Sequence, residues 1–143
     1  MNLHKNIYMK PNKILFTFFA LIFLSFTFIR SGTDFTGTWE VETENLTFTL
    51  YLKQINNKIT GNHCSIMKKG DKIDCVLDVS DQSIFGNIEN QSYVIVRFES
   101  QFCSKSGTAK ITRLDTNTID WQIISRPNGE YHIPDHIVLK KEK

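Results

Sequence analysis

From Thr36 onward the chain alternates apolar and polar residues in short runs split by turn residues, the period-two pattern of half-buried strands. Thr36 to Glu42 predicts a first strand carrying Trp39. Leu46 to Lys53 is the clearest run: Leu46, Phe48, Leu50 and Leu52 share one face, and Thr47, Thr49, Tyr51 and Lys53 the other. Asn56-Asn57 turns the chain into Lys58 to Ile66, and Lys72 to Asp78 follows. Ser83 to Glu89 is a short strand interrupted by Gly86, a place for a bulge or bend. Tyr93 to Glu99 aligns Val94, Val96 and Phe98; Thr108 to Leu114 comes next. Thr118 to Ser125 aligns Ile119, Trp121 and Ile123, and Arg126-Pro127-Asn128-Gly129 is a strong turn signal. A last strand runs through Ile137, Val138 and Leu139.

No helical periodicity of useful length appears after residue 31. About nine short strands joined by tight turns predict an all-β antiparallel meander. Each strand has one apolar face to cover, and closing the sheet on itself covers those faces and removes exposed edges. The expected fold is an up-and-down β-barrel of about eight strands, with a β-sandwich as the alternative.

The N-terminus reads differently. Ile14 to Ile29 is sixteen residues without a formal charge, preceded by Lys5, Lys10 and Lys13 and followed by Arg30. A basic front and an apolar block form the pattern of a secretory signal. The expected division is a signal peptide over residues 1–31, or an uncleaved N-terminal anchor, and a single domain over residues 32–143. No Cys lies near the end of the block, which argues against a lipoprotein. The expected location is periplasmic or extracellular, with membrane contact only through the N-terminal segment.

Export changes the charge. Removing Lys5, Lys10, Lys13 and Arg30 from 17 basic residues leaves 13 against 15 acidic ones, a net charge near −2 in place of +2. No clustered basic face remains to serve nucleic acid. The 112 residues left are enough for one core.

Three cysteines remain: Cys64, Cys75 and Cys103. A turn at Lys68-Lys69-Gly70-Asp71 brings Met67 opposite Lys72, Ile66 opposite Ile73, and Cys64 opposite Cys75. The cysteines then fall at a non-hydrogen-bonded pair, where facing Cα atoms are closest. The spacing predicts a Cys64–Cys75 disulfide across a hairpin, suited to an oxidising compartment. Cys103 is left odd: a free thiol, an intermolecular link or an alternative partner.

The opening DFTGTWEVE resembles the calycin pattern, in which a Gly-x-Trp, here Gly37 and Trp39, begins the first barrel strand. Lipocalins, fatty-acid-binding proteins and avidins share it. Ile59-Thr60-Gly61 and the NGEYHIPD stretch also resemble small exported bacterial proteins of unknown role. The resemblance implies a barrel whose Trp plugs one end. It departs in the last strand, where many calycins place an Arg over the Trp and this chain offers Lys140 and Lys141. The two connecting helices of fatty-acid-binding proteins are missing.

Candidate chemistry is sparse. Trp39, Trp121 and Arg113 are the tentative ligand-binding residues; Arg113 follows Ala109 and Ile111 in phase and is placed at the barrel rim. His63, His132 and His136 with the cysteines could suggest zinc, but no C-x-x-C exists and Pro134 separates the last two histidines. No metal and no cofactor is expected. Asp135-His136 resembles a base and its orienter, but adjacent strand residues point to opposite faces, and no nucleophile elbow accompanies them. The chain is therefore not read as an enzyme. Asn45-Leu46-Thr47 and Asn90-Gln91-Ser92 are glycosylation sequons, relevant only in a eukaryotic secretory pathway.

Two functions remain. One is an exported binding protein that holds a small apolar molecule in the barrel. The large inferred inward set, Phe48, Leu50, Leu52, Phe98, Trp121 and Ile123, weighs against it because such residues fill a barrel. The other is an inhibitor-type or immunity-type module that engages another exported protein. Its loops would be Val79 to Ser83, Phe102 to Gly107 and Arg126 to Asp135, with Tyr131 as an anchor.

Overall fold

A computed structural model describes residues 34–76, 78 and 80–143; the leader expected over residues 1–31 lies outside them. The elements are β1 (Gly37–Glu42), β2 (Leu46–Ile55), β3 (Lys58–Met67), a 3₁₀ turn (Lys68–Gly70), β4 (Lys72–Cys75), β5 (Ile84–Asn87), β6 (Tyr93–Phe98), β7 (Gly107–Arg113), β8 (Thr118–Ser125) and β9 (His136–Lys141). All pairings are antiparallel. β1 pairs with both β2 and β9, and β2 with β3, so eight strands close into the expected barrel.

The alternation explains the core. Trp39 and Val41 on β1, Phe48, Leu50 and Leu52 on β2, and Val94, Val96 and Phe98 on β6 all face inward. Trp121 sits among them edge-on to Phe48 (5.6 Å, 63°) and Phe98 (5.5 Å, 61°), the geometry that the ring quadrupoles favour. Its indole N–H donates to the Pro134 carbonyl, and that of Trp39 to the Phe35 carbonyl, both at 2.9 Å, so neither buried donor is orphaned. Gly107 has no side chain because Phe98 needs the space: a Cβ there would lie 2.4 Å from the ring. The interior of an eight-stranded barrel is just wide enough for side chains to fill. Here aromatic and branched residues fill it.

One place in the wall is irregular. β3 ladders with β5 through Lys58–Gly61 and with β4 through Cys64–Met67. β4 and β5 therefore lie one after the other along the same side of β3. β5 continues the ring to β6, but among the described residues β4 pairs with β3 alone, and no strand lies on its far edge. The barrel thus has a seam beside β4. Of the strand expected over Lys72 to Asp78, β4 covers Lys72–Cys75 and Val76 adds one backbone bond to β3; Leu77 lies outside the described residues.

The hairpin register is the one the cysteine spacing predicts: Met67 faces Lys72, Ile66 faces Ile73, and Cys64 faces Cys75. Val76 N–H donates to the His63 carbonyl at 3.0 Å, which makes Cys64/Cys75 a non-hydrogen-bonded pair. The two are disulfide-bonded, and Cys103 is free and half-buried. The irregularity expected at Gly86 falls elsewhere: the ladder slips at Thr108/Ala109, while Gly86 lets β5 and β6 approach closely. Replacing both Cys64 and Cys75 by Ala should destabilise the fold by about 2–3 kcal/mol without unfolding it, read as a lower urea midpoint.

Candidate functional site

The seam is closed by side chains instead of a ladder. Asp74, on β4, points inward and is fully buried. Its Oδ1 accepts from the Gln101 backbone N–H at 3.0 Å and lies 3.3 Å from His63 Nε2. Its Oδ2 accepts from the Ser100 hydroxyl at 2.6 Å and the His132 backbone N–H at 3.2 Å. One carboxylate thereby ties β4 to β3, to the loop after β6 and to the loop before β9. The neighbouring Lys72–Glu130 ion pair (3.0 Å) spans the same gap at the surface.

Beyond His63 the chain of contacts continues to Ser83, whose Oγ lies 2.7 Å from His63 Nδ1. Ser83 Oγ also accepts from the His63 backbone N–H at 3.1 Å. The ionised Asp74 carboxylate can only accept, so hydrogen-bond logic assigns the hydrogen of the neutral ring to Nε2, facing Asp74, and Nδ1 accepts from the Ser83 hydroxyl. The order Ser83–His63–Asp74 is that of a hydrolase triad, but with the ring nitrogens exchanged and Ser83 only 1% exposed. The Ser83 backbone is used as well: its N–H donates to the Gly61 carbonyl and its carbonyl accepts from Glu99 N–H, both at 2.9 Å. These bonds carry the β3–β5–β6 ladder one residue further. The arrangement supplies a stitch across the seam, with every polar atom of the relay partnered.

Burial alone would raise the Asp74 carboxyl, but bonds from His63, Ser100, Gln101 N–H and His132 N–H outweigh it and hold it at about 2, against an ordinary 3.8.

The relay positions a loop surface at that end of the barrel. Phe102, held by its N–H to Ser100 Oγ (3.1 Å), is 49% exposed and stands edge-on to His132 at 4.6 Å. Tyr131 donates its hydroxyl to Asp135 at 2.7 Å, and Arg126 bonds the same carboxylate at 2.6 Å. The Tyr131 hydroxyl bond, with Arg126 after it, holds the Asp135 carboxyl below the usual range against partial desolvation.

The Phe102 to Gly107 and Arg126 to Asp135 loops and the Tyr131 anchor singled out from the sequence form this surface, whereas the tentative ligand-binding residues Trp39, Arg113 and Trp121 do not. Trp39 is fully buried at the opposite end. The Arg113 guanidinium lies 5.7 Å and Lys141 Nζ 5.2 Å from its ring, with Arg113 also 5.0 Å from Phe35. Arg113 is at the rim, where it donates to the Asp34 carbonyl. The cations over the Trp thus come from β7 and β9 together. Trp121 is buried in the middle of the core. The histidines and cysteines are not gathered: His136 bonds Asp120 at 2.7 Å, His132 faces Glu130 at 3.2 Å, and no group of three or more metal-ligating residues occurs among the described residues. Asp135 and His136 have separate partners, as their alternation requires. Asp74, Ser83 and Ser100 were not legible as a site. In this hairpin the alternation inverts: Ile73 is exposed while His63, Ser65 and Asp74, in the opposite phase, are buried, so the apolar pattern hides the carboxylate.

Asp74→Asn should cost about 2–4 kcal/mol, because the amide sets a donor against the Ser100 hydroxyl or a backbone N–H; chemical denaturation measures it. The wild-type pH profile has a definite sign. The folded pKa lies below the ordinary value, so Asp74 stabilises fully above pH 3.8 and loses that contribution as pH falls toward about 2. A loss of about 2 kcal/mol is expected across that window in urea titrations, and Asp74→Asn should flatten it. Compared with protein-family models, curated proteins and solved structures, the chain matches none.

Proposed function

We propose that this chain is an exported, calycin-like barrel that acts as a protein-interaction module, of inhibitor or immunity type, through the loops beside the seam. The observation that carries the reading is the contrast between a filled interior and a rigid loop surface. Trp121, Phe48 and Phe98 pack ring against ring inside the barrel, Trp39 lies buried beneath Arg113 and Lys141, and both indole N–H groups are committed to backbone carbonyls. A small apolar ligand in the barrel would have to displace them.

The loop surface has the composition of a binding hot spot: an exposed Phe, a Tyr and an Arg close together. Asp74 fixes both loops through their backbone, so little ordering entropy is left to lose on association. The sealed Ser83 hydroxyl supports a non-catalytic role. The Cys64–Cys75 bond suits an oxidising compartment and supports export to the periplasm or the cell exterior.

A photo-crosslinking residue at position 102, in the full protein expressed in its own host, tests this. One discrete adduct to an exported protein is expected, lost in Tyr131→Ala and Arg126→Ala variants whose melting temperatures are near wild type. Absence of any adduct, together with a small organic ligand retained in native mass spectra, would return the function to the barrel interior.

A further inference from the structure

We propose that Asn128 and Gly129 form a site of spontaneous covalent modification, at which the asparagine in the loop before β9 becomes aspartate and isoaspartate. The chemistry does not rest on the loop-surface proposal; it concerns the covalent state of the loop itself.

The reaction needs an asparagine whose side-chain amide can be reached by the main-chain nitrogen of the next residue. Asn128 alone among the asparagines of the sequence precedes a glycine. Each of the others is followed by a residue with a side chain, which crowds the approach. At several of them the attacking nitrogen is also committed. Leu46 N–H donates to Thr43 Oγ1 at 3.1 Å, His63 N–H to Ser83 Oγ at 3.1 Å and Ile88 N–H to the Asn57 carbonyl at 2.7 Å. Those bonds must break before the nitrogen can react. Among the described residues, neither the Gly129 N–H nor the Asn128 side-chain amide has a hydrogen-bond partner.

The turn also requires glycine at 129. Its φ is +139°, and a Cβ there would lie 2.9 Å from Cys103 Cβ, so any other residue is strained and crowded. The reactive pair is therefore part of the turn's construction. Pro127, just before it, is buried, whereas Asn128 and Gly129 are exposed, so water reaches the pair.

The step balances without an oxidant or a cofactor. The Gly129 nitrogen bonds to Asn128 Cγ, the Cγ–Nδ2 bond breaks, and ammonia leaves with the Gly129 proton. Water then opens the five-membered imide at either carbonyl. One opening gives aspartate; the other routes the main chain through the side chain as isoaspartate. The net change is one water taken up and one ammonia released. Either product is ionised near neutral pH and adds a negative charge two residues from Glu130. Isoaspartate also adds a carbon to the main chain between two fixed points: buried Pro127, and the His132 N–H held by Asp74 at 3.2 Å. The stretch that takes up the extra length carries Glu130 and Tyr131, so the loop surface of an aged molecule differs from that of a new one.

The test incubates the purified exported protein in mildly alkaline buffer beside a capped synthetic peptide of residues 126–131. Both are followed by mass spectrometry with fragmentation that separates aspartate from isoaspartate. Asn128 in the folded protein should convert at a rate within about tenfold of the peptide, a barrier difference below about 1.4 kcal/mol, and ahead of every other asparagine. An acidic band should grow in step on isoelectric focusing. Asn128→Gln, at an exposed position, should keep the wild-type melting temperature and remain a single band. Asn128 still intact in the protein when the peptide has fully converted, or another asparagine reacting first, would overturn the proposal.

Discussion

One carboxylate holds the barrel wall shut. A sheet that closes on itself satisfies its backbone everywhere except where a strand ends early, and among the described residues β4 has no strand on its far side. Asp74 fills that gap with donors from a histidine, a serine and two loop amides. A buried charge is costly unless it is fully hydrogen-bonded. This one is, and the same bonds that make it tolerable determine where two long loops lie. Loop position and core closure at this end are therefore one equilibrium.

A filled barrel leaves its outer wall and its loops as the surfaces open to other molecules. The two indoles and the phenylalanines that make the core dense also remove the space in which a hollow barrel of this size holds a ligand. What the density supplies instead is rigidity. Strands paired on both sides present outward rows of side chains in fixed register, and loops anchored through their backbone present an aromatic and a guanidinium at defined positions. Recognition on such a surface loses little conformational freedom on binding.

The opposite end shows how a local signature can be met by a different route. Gly37 and Trp39 begin the first strand as the calycin resemblance implies, and the last strand brings only lysine to the ring. The arginine comes from β7. Its phase with Ala109 and Ile111 placed it on the inward side, and the end of its strand placed it at the rim; neither reveals that Trp39 lies beneath it. That contact exists because the closed ring puts β7 and β1 at the same mouth.

Period-two alternation and turn residues determined the strands, the all-β class and, with two cysteines eleven residues apart, the register of one hairpin, because these depend on neighbours within a few residues along the chain. The same patterning determined which side chains are large and inward, and so that the core would be dense. Tertiary structure alone decided the rest. Asp74, His63, Ser83, Ser100 and the His132 amide come from five separate stretches, and nothing in their local sequence marks them as partners. They meet because β3 divides its edge between two strands, and that division is a property of barrel closure, which no single segment encodes.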